Sequence, residues 1–276
     1  MSKKLSRTDA DYTVGVINPS TGVYRDVRRF TVGTGTTVIA LGSDAVWASN
    51  VVERGEKMWP LSPDGNRLAA MRSIGNQPHA GWIDTEGRFT DMTSGQTMGA
   101  FEGYVSFEAI GFDAAGRYYY LKNLGSAKKL EAYVVDTAGG ASRLLGSLNP
   151  TAVIARLTIN RQSGAVTNQD SPDCSFYSRL GTGILKAEQT QITYVASGSC
   201  HDTGIRILPG ANTNPIMNPV GNTAANAVAF KLRNEGGGPV YGAIDLYTVP
   251  LTGNATPQLV RITGAAVSDY ELIAWN

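Results

Sequence analysis

The 276-residue sequence predicts an all-β fold, a β-propeller with six blades expected and five or seven as the neighbouring counts. Three observations carry this expectation. Short apolar runs alternate with tight-turn signals along the chain. The hairpins they form recur about every 50 residues, as radial repetition of four-stranded units requires. No segment keeps an apolar period of 3.6 residues for the length of a helix, so helices are expected to be few or absent.

The hairpin at Leu61–Ala70 sets the pattern. Ser62-Pro63-Asp64-Gly65 separates two apolar runs, with Pro63 presetting φ and Gly65 supplying a positive φ. Ahead of it, residues 1–11 read as a disordered lead-in and 12–276 as one domain. Tyr12–Ile17 and Val23–Phe30 read as strands flanking the turn Asn18–Gly22. Thr37–Leu41 and Ala45–Val52 flank Gly42–Asp44. Beyond the hairpin, Trp82–Gly87 resembles Val134–Gly139, and Phe107–Gly116 followed by Arg117–Leu121 repeats the opening unit. Ala155–Gly164 repeats it again. Gly181–Lys186 and Gln191–Ser197 read as strands, and Asn212–Pro219 as an irregular loop in the stretch that departs most from the repeat. Val228–Asn234, Leu246–Gly253 and Gln258–Thr263 resume the pattern. Tyr270–Asn276 reads as a lone first strand that completes the blade begun at the N-terminus, which would pair the exposed edges.

Composition narrows the function. A net charge of +1 gives no field to hold nucleic acid, and no apolar run is long enough to span a membrane. Low charge and loops rich in Gly, Ser, Thr and Asn fit an extracytoplasmic or secreted protein whose leader lies outside this sequence, with a cytoplasmic location as the alternative. Cys174 and Cys200 are the only cysteines. They are expected to form a disulfide, two buried thiols being the other reading.

The segment Leu61–Ala69, with weaker copies at Ile110–Leu121 and Ile159–Val166, resembles the repeat of TolB-like propellers. There the phrase Ser-Pro-Asp-Gly joins the first two strands of a blade, and six blades are common. Phe112–Gly116 and Asn160–Gly164 are degenerate copies, so the resemblance covers about half the chain. It implies fold rather than activity, such propellers serving as binding platforms, sensor ectodomains and appendages to peptidases.

Candidate chemistry is sparse. Asp64 is expected to cap its own turn. His79, in Asn76-Gln77-Pro78-His79, reads as loop surface, and neither it nor His201 has a second ligand at zinc spacing. His201 and Asp202 follow Cys200 in the irregular region and read as candidate binding residues. Glu108 and Glu271, with Asn160, Asn234 and Asn276, fall in or beside first strands. They would line a wet channel or, in a calcium-dependent hydrolase, hold the ion there. Neighbouring strand residues face opposite ways, so one of Tyr118, Tyr119 and Tyr120 opposes the other two, and Tyr119 is expected as an exposed binding residue. Trp47, Trp59, Trp82 and Trp275 are expected between blades. Arg25, Arg28 and Arg29 read as a solvated edge. No metal site and no cofactor follows from local motifs, calcium being the one ion left open. A non-enzymatic binding module for a protein or glycan partner is the function expected, with a metal-dependent hydrolase or lyase as the alternative.

Overall fold

The computed structural model describes residues 10–38, 60–75, 77–96, 105–124, 129–136, 140–148, 156–159, 166–169, 177–187, 190–199, 202–210, 216–233, 244–263 and 272. Among these residues all regular structure is β, with no helix, and so no helix long and apolar enough to cross a membrane. Four sheets are four-stranded and two are two-stranded, every strand pairing with its neighbour in chain order. The chain divides into two compact units, residues 13–27 with 173–276 and residues 28–172, the first few residues aside.

In the second unit β3 (Thr36–Val38), β4 (Arg67–Ile74), β5 (Gln77–Asp84) and β6 (Phe89–Asp91) form one antiparallel meander. A second meander holds β7 (Val105–Phe112), β8 (Tyr118–Leu124), β9 (Lys129–Val135) and β10 (Arg143–Leu148). The pair β11 (Arg156–Ile159) and β12 (Val166–Gln169) completes the unit. Its core joins Ala69, Ala80 and Trp82 of the first meander to Phe107, Phe112, Tyr118, Tyr120 and Val135 of the second. The rings meet at offset or edge-on angles, as aromatic quadrupoles prefer.

The turns repeat one device. In Ser62–Arg67, Gly65 has φ of 72° and donates to the Ser62 carbonyl at 2.8 Å, while Asp64 accepts from the Asn66 N–H at 3.1 Å, so Asp64 caps its turn. The Asp84 and Asp113 turns are one residue tighter. Each aspartate accepts from the second and fourth N–H after it and takes the guanidinium of the fourth residue, Arg88 or Arg117. Burial alone would raise the Asp84 carboxyl, but the bonds from Arg88 and Glu86 hold it below its ordinary value. These local bonds reverse the chain where the sequence places Asp-x-x-Gly-Arg.

In the first unit β13 (Tyr177–Leu180), β14 (Gly183–Ala187), β15 (Ile192–Val195) and β16 (Ile205–Arg206) form a regular meander, in the stretch whose sequence departs most from the repeat. The last meander runs β17 (Ile216–Gly221), β18 (Ala227–Arg233), β19 (Ile244–Pro250) and β20 (Gln258–Val260). The expected irregular loop over Asn212–Pro219 lies outside the described residues in its first half, 212–215, and its second half, 216–219, is corrected by β17. It is an edge strand with a register shift between Met217 and Val220, a position where Pro219 is tolerated. Leu180, Leu185, Ile207, Val228 and Phe230 lead the core shared by these two meanders.

Residues from near the two ends of the chain also meet in this unit. The hairpin of β1 (Ala10–Ile17) and β2 (Tyr24–Val32) contributes Thr13–Val27, and Val23 bridges Thr263 in parallel. Tyr24 donates its N–H to the Thr263 carbonyl, and Thr263 returns one to Gly22. Ile17, Ile262 and Leu272 pack on a cluster of Tyr24, Ala229, Leu246 and Val260.

The turn Asn222–Ala227 follows the Ser62–Arg67 pattern, with Asn222 Oδ1 accepting from Asn226 and Ala227. Here alanine, Ala225, holds the left-handed position at φ of 52°. That conformation costs an L-residue about 1–2 kcal/mol, and glycine's extra unfolded-state entropy returns up to about 1. Ala225→Gly is therefore expected to raise stability by about 0.5 kcal/mol in urea unfolding, and a loss would contradict the strain.

Candidate functional site

The polar cluster of greatest chemical interest lies on β5 and β6. Gly81 of β5 pairs with Asp91 of β6. A Cβ at Gly81 would stand 2.0 Å from the Thr90 carbonyl oxygen, so the missing side chain lets β6 lie close. That approach sets Asp91 and Thr93 against His79. Asp91 Oδ2 is 2.8 Å from His79 Nδ1, and its Oδ1 accepts from both the N–H and the hydroxyl of Thr93 at 2.8 Å. Thr93 Oγ1 stands 3.2 Å from His79 Nδ1 and accepts from the Ala80 N–H at 3.3 Å.

The donor and acceptor inventory assigns the tautomer. An ionised carboxylate only accepts, so His79 Nδ1 carries the hydrogen facing Asp91, and in the neutral ring Nε2 is left with the lone pair. Nε2 bonds no described residue. The His79 and Asp91 side chains keep 20% and 18% of their surface, while Thr93 is fully buried. The pair therefore presents one basic nitrogen, oriented by a carboxylate, at a partly open position.

Aromatic side chains back the cluster. Phe107 lies 6.5 Å from the His79 ring. Tyr120 stacks on Tyr133 at 5.1 Å with 5° between planes, and its hydroxyl receives the Gln96 Nε2 hydrogen at 2.6 Å. Tyr133 donates to Glu131 at 2.7 Å. Burial, above all, raises the pKa of Tyr118, Tyr120 and Tyr133. These hydroxyls therefore stay protonated donors through the physiological range.

Tyr119 is a correction. It is fully buried rather than exposed, and its hydroxyl donates to Asp113 Oδ2 at 2.8 Å. The alternation along β8 holds, since Tyr118 and Tyr120 join the inter-sheet core while Tyr119 faces away. β8 lies between β7 and β9, however, and both of its faces are covered. His79 is a second correction. It lies in β5 opposite Arg72, where Pro78 is accommodated because β6 pairs only with Gly81–Ile83. Glu108 is half-buried in β7 opposite Leu121. Asp202 is exposed between β15 and β16, its carbonyl accepting from Lys186 Nζ at 3.4 Å. Cys174, Cys200, His201, Glu271, Asn160, Asn234 and Asn276, with Trp47, Trp59 and Trp275, lie outside the described residues. No group of three or more His, Cys, Asp or Glu placed to hold a metal occurs among the described residues.

Sequence reasoning misses Asp91, Thr93 and Gln96. No local pattern marks them, since β6 ends at Asp91 and their meaning depends on His79 being a strand residue.

No family model matches the chain, and no curated protein matches it. Among solved structures it is similar to a DUF4623 family protein from Bacteroides eggerthii, at 14% identity and a TM-score of 0.39, over 90% of this chain and 68% of that one. It is also similar to the S527A variant of the AtxE2 isopeptidase with Astexin3-dC4 bound, at 12% identity and a TM-score of 0.36. That match spans 96% of this chain and about half of the isopeptidase, 51%. Both likenesses are too remote to bear on function.

Proposed function

We propose that this chain is a non-enzymatic binding module, exported and built as a six-bladed propeller resembling the TolB-like group, that recognises a protein or glycan partner. The architecture is supported by six sheets in chain order among the described residues, four of them four-stranded meanders, and by the pairing of Val23 with Thr263. One observation carries the recognition role. His79 and Asp91 stand half-buried with Nε2 bonding no described residue, and Phe107 lies 6.5 Å from the His79 ring. Hydrogen-bonding groups held rigidly over aromatic rings are the means by which proteins grip polar partners without moving.

The test presents the full chain, with His79→Ala and Asp91→Asn, to arrays of immobilised oligosaccharides and peptides. Wild type is expected to select a small set of probes, and both variants to bind those at least about tenfold more weakly, 1.4 kcal/mol. Equal binding by all three would overturn the site, and no binding by wild type would overturn the module.

A metal-dependent hydrolase or lyase is the second reading. An aspartate on Nδ1 with Nε2 open is the general-base half of a hydrolytic set, and this observation alone favours it. About one calcium per chain, lost together with activity on chelation, would decide for that reading.

A further inference from the structure

Asp91 is held in one orientation by Thr93. Its Oδ1 accepts from both the N–H and the hydroxyl of Thr93 at 2.8 Å, and its Oδ2 faces His79 Nδ1 at 2.8 Å. The Thr93 hydroxyl is itself placed by a third bond, accepting from the Ala80 N–H at 3.3 Å. A backbone N–H can only donate, so whatever stands at Oδ1 must be an acceptor. Asp91 thus decides which nitrogen of the His79 ring carries hydrogen, and Thr93 decides which end of residue 91 faces the ring.

The surroundings narrow what can meet Nε2. A carboxylate or sulfate offers only acceptors and would set lone pair against lone pair, with the Asp91 charge across the ring. A lysine or arginine donor would approach a like charge, because Arg72 pairs with His79 across β4 and β5, where facing Cβ atoms stand about 5 Å apart. A peptide backbone gains no strand pairing. Ala80 gives its N–H to Thr93, and its carbonyl accepts from Met92 at 3.0 Å. The backbone groups of His79 lie on the alternate edge and turn to β4. A neutral hydroxyl remains, the donor that sugars carry in greatest number.

We propose that His79 Nε2 accepts a hydroxyl hydrogen from a neutral saccharide, and that Asp91 is the positioning residue that makes this nitrogen an acceptor. In Asp91→Asn the carbonyl oxygen must stay at the Thr93 N–H, so the amide nitrogen faces Nδ1 and donates to it. The ring hydrogen then moves to Nε2, and the site changes from acceptor to donor. The saccharide rests on the recognition role proposed above, whereas the tautomer rests on these bonds alone.

Two measurements on the full chain at about pH 8, where imidazole is ordinarily neutral, test this. Nitrogen NMR is expected to report the His79 hydrogen on Nδ1 in wild type and on Nε2 in Asp91→Asn. The same tautomer in both, or a wild-type ring protonated on both nitrogens, overturns the inversion. Arrays of neutral oligosaccharides, their sulfated and uronate counterparts, and peptides give the second readout. Wild type is expected to bind neutral oligosaccharides at least about tenfold more tightly than the acidic counterparts, the effect of about one hydrogen bond. Asp91→Asn is expected to lose or reverse that order, and a variant that keeps it overturns the role of Asp91. A wild type that prefers acidic probes or peptides overturns the hydroxyl and leaves the recognition role standing. Binding to no probe overturns the recognition role and the saccharide with it, while the NMR result still decides the tautomer. Should Asp91→Asn not fold, the wild-type tautomer and order of binding decide alone.

Discussion

Replacing Asp113 with alanine is expected to cost about 3–5 kcal/mol, the penalty for removing one partner of a buried ion pair. The carboxylate has no exposed surface and accepts four hydrogen bonds. Ala115 and Arg117 donate their N–H groups to Oδ1 at 3.0 and 2.9 Å. Arg117 Nε and the Tyr119 hydroxyl donate to Oδ2 at 2.6 and 2.8 Å. Alanine unlatches the turn and leaves the Tyr119 hydroxyl, itself fully buried, without that acceptor. Tyr119→Phe, which removes one donor and leaves the turn intact, is expected to cost only about 1–2 kcal/mol. Urea unfolding of the two variants gives the comparison. A loss below about 1 kcal/mol for Asp113→Ala would show that the aspartate does not organise the turn.

The second large effect is expected at Gly22. Its φ of 72° lies in the left-handed region, and a Cβ there would stand 1.7 Å from the Arg261 carbonyl oxygen. Neither backbone can yield cheaply. Gly22 accepts from Thr263 at 2.9 Å, and Tyr24 donates to the Thr263 carbonyl at 3.0 Å, so any displacement breaks the parallel bridge. Gly22→Ala is expected to cost about 3 kcal/mol or more, and the amides of Tyr24 and Thr263 to lose protection in hydrogen exchange. Gly65 supplies the control. It has the same φ of 72°, but nothing lies within 4 Å of its Cβ position. Gly65→Ala should therefore cost only the conformational penalty of about 1–2 kcal/mol. The difference between the two substitutions measures the close approach. Equal losses would mean that the contact at Arg261 contributes nothing.

The turns are legible in the sequence because their causes are local. Ser62-Pro63-Asp64-Gly65 specifies its reversal within a few residues, and Gly65 has the positive φ and Asp64 the capping bond that those residues demand. The Asp84 and Asp113 turns are less plain. Sequence similarity matches Trp82–Gly87 to Val134–Gly139, whereas the hydrogen bonds pair the Asp84 turn with Asp113–Arg117. What identifies the device is the arginine after the glycine, which the Val134–Gly139 match leaves out. The described part of Asn212–Pro219, residues 216–219, misleads for a related reason. Over 212–219 two prolines and three asparagines read as a loop, but an edge strand with a bulge tolerates Pro219 because one side of its backbone needs no ladder partner.

The candidate site is scarcely legible. His79 reads as a loop residue, and Asp91, Thr93 and Gln96 carry no local mark, because their meaning lies in a pairing register. Gly81 opposite Asp91 brings the carboxylate to Nδ1, and no run of adjacent residues announces that register.

The sequence by itself determined an all-β chain of short strands and where many of its turns fall, since strand periodicity and turn chemistry act over a few residues. It also determined that Tyr119 must oppose Tyr118 and Tyr120. Only the tertiary structure decided that both faces of β8 are covered, that His79 meets Asp91, and that Gly22 lies against Arg261. Burial and close approach belong to surfaces brought together from distant parts of the chain. Their energies depend on atoms that sequence order does not place side by side.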